Sequence, residues 1–203
     1  TRKKSLAWLR DKLADFDKWF AVFKEGNPRK DREAQYGVKS LRVLRDADDG
    51  NHAVVVMEAD SRSAIDQMTD DPQVQERFAD TSLFAEPPSV LAGYEPIGDE
   101  NVPEGGNSAF LVDQGLADFD KWNENWTANE AQRQELYDKH DVKVVRVLRD
   151  IDNRNRVVVA MSAPSRSALE GMWAEPAPQA AFSDSEIFQR PPKILGQFTR
   201  TDI

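Results

Sequence analysis

The chain has 203 residues with a formal net charge of −9, and 39% of its residues are hydrophobic. Such an acidic surface repels phosphate backbones and anionic lipids, which argues against nucleic-acid and membrane partners. The chain lacks cysteine, which excludes disulfides, zinc–thiolate sites, iron–sulfur clusters and cysteine nucleophiles. No apolar run is long enough to span a bilayer and no signal peptide is visible, so we predict a cytoplasmic protein.

The sequence is an internal duplication. The segment Leu-Ala-Asp-Phe-Asp-Lys-Trp occurs at residues 13–19 and again at 116–122. Residues 38–57 and 142–161 are identical at 12 of 20 positions. Because a chain of this length divides naturally into two units of common domain size, we predict a first unit at 1–95 and a second at 108–203. The Pro- and Gly-containing stretch at 96–107 is predicted to be a linker.

The first unit is predicted to contain strands and helices in the order β-α-β-β-α-β. Two-residue alternation predicts a first strand that carries Ala7, Leu9 and Asp11 on one face. Aromatic residues at helical spacing follow the N-cap Asp15, and Gly26-Asn27-Pro28 should interrupt this helix. The remaining strands are predicted at 38–46, 53–59 and 89–94, with a helix from 61 to 70.

The second unit repeats this order, with no counterpart of the Gly-Asn-Pro break. Its strands are predicted at 108–114, 142–150, 156–163 and 192–199, and its helices at 118–140 and 165–173. A β-α-β-β-α-β unit leaves one sheet face bare, and exposed apolar area costs roughly 25 cal/mol per Å². We therefore predict an α+β fold in which two tandem ferredoxin-like units pack sheet to sheet as an intrachain pseudo-dimeric α/β barrel. Because the barrel would close within one chain, we expect a monomer or a weak homodimer.

Four motifs occur in both units. They are Asp-Phe-Asp-Lys-Trp at 15–19 and 118–122, Arg-Val-Leu-Arg-Asp at 42–46 and 146–150, Asp-x-x-Asn at 48–51 and 152–155, and Pro-Pro at 87–88 and 191–192. With these motifs the chain resembles the dimeric α/β-barrel superfamily, and more narrowly small bacterial proteins that are labelled cyclase-like and are related to antibiotic-biosynthesis monooxygenases. That superfamily includes cofactor-free oxygenases, polyketide cyclases, isomerases, haem enzymes and proteins of no known activity, so the resemblance implies a fold more specifically than a function.

The chain departs from its relatives on the first strand of each unit. Relatives often carry a His four residues before the first Asp of the motif, where this chain has Asp11 and Gln114. The departure argues against a His acid–base or haem-ligand role. We predict no cofactor and no metal site, because neither His52 nor His140 has a partner at ligand spacing.

The candidate site lies between the sheet and the helices of each unit. A carboxylate in an apolar pocket has a raised pKa and can act as a general base, so Asp11 is the candidate catalytic residue. The alternative is a strand-end Asp that is exposed or bonded to the next turn, with the aromatic stripes as plain core and Gln114 as a structural residue. The candidate ligand-binding residues are Trp19 and Phe23 in the first unit and Gln114, Trp122 and Trp126 in the second.

Three functions fit this reading. The first is a cofactor-independent monooxygenase or cyclase acting on an aromatic or polyketide-like compound. The second is a non-catalytic ligand-binding or stress-associated protein that holds a small hydrophobic or aromatic molecule. The third is a scaffold whose cavities are filled by its own side chains. A buried, unpaired Asp11 beside a cavity of a few hundred Å³ would favour the first function. A cavity with no ionisable group would favour the second, and the absence of any cavity would leave the third.

Overall fold

A computed structural model describes residues 4–104 and 106–203, and they divide into two units. One unit comprises the described residues up to Glu95 together with Phe198–Ile203, and the other comprises the described residues of Pro96–Gln197. Both contain strands and helices in the same order, so the α+β class predicted from the sequence is confirmed. The chain therefore enters the second unit at the end of its fourth strand and returns to the first at the end of its last strand.

The first half of the chain forms four strands and four helices within its described residues. The helical region after the first strand is divided at Gly26, as its sequence predicted, and the region after the third strand also consists of two short helices. The elements are β1 (Ser5–Leu13), α1 (Phe16–Lys24), α2 (Asn27–Gln35), β2 (Val38–Asp46), β3 (His52–Ala59), α3 (Arg62–Thr69), α4 (Pro72–Phe78) and β4 (Phe84–Ile97).

The second half repeats this order within its described residues. The elements are β5 (Ser108–Gly115), α5 (Phe119–Ala128), α6 (Glu130–Lys139), β6 (Lys143–Asp150), β7 (Arg156–Ser162), α7 (Arg166–Trp173), α8 (Pro176–Phe182) and β8 (Lys193–Asp202). The helix expected to run unbroken from 118 to 140 ends and restarts at Asn129, whose backbone angles of −103° and 20° depart from the helix. The helix break of the first unit therefore does have a counterpart in the second unit, although that counterpart contains neither Gly nor Pro.

The break in the first unit depends on glycine. A Cβ at Gly26 would lie 2.9 Å from both Arg29 Cβ and Phe23 O, which is closer than such atoms approach in proteins. Pro28 then stands in the first turn of α2, where its missing N–H has no helical partner to lose. This close approach brings Arg29 back over the end of α1, next to the aromatic side chains that α1 carries.

The strands of each unit are antiparallel neighbours. In the first unit the order is β4-β1-β3-β2-β8, in which β2 pairs with the final residues of β8. In the second unit the order is β8-β5-β7-β6-β4. The pairing of β1 with β3 runs without a register shift from Ser5 to Lys12, so the alternation of side chains along β1 is unbroken. The face with Ala7, Leu9, Asp11 and Leu13 is buried throughout, whereas on the other face Leu6 and Trp8 are buried and Arg10 and Lys12 are partly exposed.

The Asp-x-x-Asn motif ties a hairpin turn to the start of a helix in each unit. The side-chain oxygen of Asn51 accepts a hydrogen bond from Phe16 N at 3.0 Å, and its main-chain oxygen accepts one from Leu13 N at 2.8 Å. In the second unit, Asn155 accepts the matching bond from Phe119 N at 3.1 Å. The motif is therefore repeated because it fixes where the first helix leaves the first strand.

We expect Asn51→Ala to lower the free energy of unfolding by about 1–2 kcal/mol, since Phe16 N loses its acceptor at a helix N-terminus. Asn155→Ala, the matched variant in the second unit, should cost a similar amount. Urea denaturation of both variants measures the effect. Unchanged stability in both would contradict the assigned role of the motif.

Candidate active site

Asp11 lies on the helix-facing side of β1. It shares that face with Ala7, Leu9 and Leu13, which pack in the same core cluster as Trp19. Asp11 is only 3% exposed, and its Oδ1 atom has no hydrogen-bond partner within the described structure. Burial raises the pKa of the Asp11 carboxyl well above its ordinary value. The strand-end reading, in which Asp11 is exposed, does not match this burial.

A bulge in β4 faces Asp11. Arg10 pairs with Ser89 and Lys12 with Glu86, so Pro87 and Pro88 together stand opposite Asp11 alone. Proline has no N–H to give to a strand ladder, and such bulges are concentrated next to functional sites. The Pro-Pro motif thus interrupts the sheet beside the buried carboxyl.

The aromatic residues of α1 form a stacked wall in the same cluster. The rings of Trp19 and Phe23 are stacked with their centroids 4.9 Å apart, and Phe16 stacks on Phe20 at 5.5 Å. Trp19 is buried and Phe23 is partly buried against the cluster. The first unit therefore brings the three residues predicted from its sequence, Asp11, Trp19 and Phe23, into one core layer.

Three polar residues that the sequence analysis did not single out extend this wall. The Arg29 guanidinium lies 4.1 Å from the centroid of the Phe23 ring, and its Nε donates to Phe23 O at 3.0 Å. Its Nη1 donates to both carboxylate oxygens of Glu33, at 2.9 and 2.7 Å. The hydroxyl of Ser40 also donates to Glu33, which is 4% exposed. The i, i+4 spacing of Arg29 and Glu33 on α2 was the one signal available in the sequence.

The second unit holds the matching residues with different chemistry. Gln114 is 4% exposed, and its Oε1 atom lacks a hydrogen-bond partner in the part of the chain that the structure describes. Trp122 and Trp126 stack at 5.1 Å, and the Arg133 guanidinium lies 3.6 Å from the Trp126 centroid. Tyr137 stands where the first unit has Glu33, and burial raises the pKa of its phenol to about 12. This half offers a neutral amide and phenol in place of two carboxyl groups.

Other site types find little support in the structure. Within residues 4–104 and 106–203, no group of three His, Asp or Glu side chains could hold a metal ion. None of the described helices has the length and apolar composition that crossing a membrane requires. An open depression of about 490 Å³ lies on α5 and α6 and contains none of the predicted site residues; it is lined by Thr127, Ala128, Glu130, Ala131 and Gln134.

Comparison with solved structures identifies the fold. The chain is similar to an anthrone oxidase-like protein, with a TM-score of 0.58 and 13% identity, covering 100% of this chain and 94% of the other. It is also similar to a candidate monooxygenase from Lactobacillus acidophilus NCFM, with a TM-score of 0.53 and 13% identity over 98% of this chain and 94% of the other. No protein-family model and no curated protein matches the sequence.

These likenesses, together with the antiparallel strand order, show that the chain has the dimeric α/β-barrel fold that its sequence predicted. At this level of identity they define the fold and leave the reaction to be argued from the site itself.

Proposed function

We propose that the first unit binds a small aromatic or polyketide-like compound and that Asp11 exchanges a proton with it, as in a cofactor-independent monooxygenase or cyclase. The observation that carries this proposal is the unpaired Oδ1 of Asp11, a buried residue on the strand face that packs in an apolar and aromatic core cluster. A buried polar atom without a partner costs about 1–3 kcal/mol, a cost that proteins retain chiefly at functional sites. A ligand that hydrogen-bonds to Asp11 would offset it.

The raised pKa of Asp11 suits it to general acid–base chemistry. A carboxylate whose conjugate acid has a higher pKa is a stronger base, and it reaches its best efficiency when that pKa approaches the working pH. Arg29 donates to both carboxylate oxygens of Glu33. Its positive charge is therefore paired with Glu33 and not with Asp11. The aromatic wall of Trp19 and Phe23 offers a flat surface against which a ligand ring can stack.

Oxidation of an anthrone-type compound illustrates the proposed chemistry. Such a compound has a CH₂ group made acidic by two aryl rings and a ketone. Asp11, as carboxylate, would remove one proton from this carbon, and the resulting delocalised carbanion would be oxidised by O₂. The net reaction converts the CH₂ group and one O₂ into a second ketone and one water. The likeness to an anthrone oxidase-like protein supports this choice of probe.

The proposal is tested with anthrone as the probe, by following anthraquinone formation in air after subtracting spontaneous oxidation. We expect the wild-type rate to rise with pH through the pKa of Asp11, because the carboxylate is the active form. Asp11→Asn should lower the rate by about 100-fold or more, which is the usual contribution of a general base. Gln114→Asn, at the matching position of the second unit, should leave it unchanged. Equal rates for the wild type and Asp11→Asn would overturn the proposal.

A second candidate function is binding without chemistry. It is favoured by Gln114, because the second unit keeps the same stacked wall beside a residue that cannot exchange a proton at ordinary pH. Saturable quenching of tryptophan fluorescence by anthrone, with no anthraquinone formed above background, would support this second function over the first.

A further inference from the structure

We propose that the second unit holds a separate site for an aromatic carboxylate, with Arg133 as the residue that binds the carboxylate group. The proposal starts from one substitution between the two copies. In the first unit Arg29 is neutralised by the buried Glu33, whereas the residue that takes the place of Glu33 in the second unit is Tyr137. The second unit thus has the corresponding arginine, Arg133, without a carboxylate at the position of Glu33.

Within the described residues, Arg133 forms no ion pair with a carboxylate. Its guanidinium lies over Trp126 and donates through Nη1 to Trp126 O, which uses only one of its five N–H donors. The nearest acidic influence is Glu130, one turn earlier on α6, which is exposed; its charge raises the pKa of Arg133 without an ion pair between the two side chains. Burial lowers the pKa of the Arg133 guanidinium, so its surroundings are less favourable to the charge than water is.

Three features of the second unit indicate the ligand class. A guanidinium matches a carboxylate through two parallel hydrogen bonds, an arrangement that an ammonium group cannot reproduce. The partly buried Trp126, stacked on Trp122, supplies a flat apolar surface for a ring. Gln114 shares its strand face with Phe110, Val112 and Leu116 of the same core cluster, and its unpartnered Oε1 can accept a hydrogen bond from a hydroxyl group. A hydroxylated aromatic acid meets all three features.

The test compares 4-hydroxybenzoate with its neutral analogue 4-hydroxybenzamide by isothermal titration calorimetry on the full chain. We expect the wild type to bind the carboxylate about tenfold more tightly or better, because a charged hydrogen-bonding pair contributes that much. Arg133→Gln should remove this preference. Arg166→Gln is the matched control, since Arg166 is an exposed arginine of the same unit that pairs with Glu170. It should keep the preference.

Arg133→Lys provides a second variant should Arg133→Gln fail to fold. It retains the charge without the planar fork, so we expect a preference for the carboxylate that is weaker than in the wild type. Asp11→Asn should bind 4-hydroxybenzoate as the wild type does, which separates this site from the function proposed for the first unit. Equal affinity of the wild type for the two probes, or an unchanged preference in Arg133→Gln, would overturn the proposal.

Discussion

Asp11→Asn should raise the free energy of unfolding at pH 8, even though it removes the residue proposed to carry out the chemistry. Burial without a partner raises the pKa of Asp11 in the folded protein well above the ordinary value of 3.8 that it regains on unfolding. The stability contributed by the neutral carboxyl is fully present below the unfolded pKa and is lost as the pH rises through the folded pKa. An amide avoids that loss because it stays uncharged.

The sign of this effect is tested by urea denaturation of the wild type and Asp11→Asn at pH 4 and pH 8. The advantage of the variant should be small at pH 4 and larger at pH 8. Asp113 supplies the contrast, because it is also buried but its carboxylate binds Arg156 Nε and Arg190 Nη2, each at 2.7 Å. Asp113→Asn should therefore destabilise the protein at pH 8. If Asp11→Asn were as destabilising as Asp113→Asn, the Asp11 carboxyl would have to be charged and paired.

Arg29→Met should lower the free energy of unfolding by about 3 kcal/mol or more. The substitution leaves the buried Glu33 with the Ser40 hydroxyl and without its cation, and an uncompensated buried charge is among the costliest single defects. The methionine can still pack against Phe23, so lost contact area contributes little.

The duplication provides the matched control for this prediction. Arg133→Met removes the corresponding arginine from the second unit, where Tyr137 stands at the position of the carboxylate. The change therefore leaves no buried anion without its cation. It should cost about 1 kcal/mol, the size of a cation–aromatic contact and one hydrogen bond. Thermal or urea denaturation of the two variants measures the difference. Equal losses would contradict the stabilising role assigned to the Arg29–Glu33 ion pair.

Much of the fold could be predicted because the signals are local and occur twice. The aromatic spacing that begins at Phe16 returns at Phe119, and in both units an Asp caps the helix through the N–H three residues later. Alternation along β1 also placed Asp11 on the face that packs against α1. Each of these features depends on residues within one or two turns of each other, which is the range over which sequence patterns are informative.

The parts that the sequence did not reveal depend on contacts between distant residues. The bond from Ser40 to Glu33 requires β2 to lie beside α2, which no local spacing encodes. The sequence predicts that this strand begins at residue 89, because only the register against β1 shows that β4 already includes Pro87 and Pro88. The return of Phe198–Ile203 to the first unit likewise depends on pairing with β2, far away in the sequence.

The most direct test of the account is the pKa of Asp11 in the folded protein. It can be measured by ¹³C NMR of selectively labelled aspartate, with Asp11→Asn identifying the resonance. The account predicts that the Asp11 carboxyl titrates well above the ordinary aspartate range and that its signal shifts when anthrone is added. A carboxyl that titrates near its ordinary value of 3.8, unaffected by anthrone, would contradict both the apolar burial of Asp11 and its proposed role.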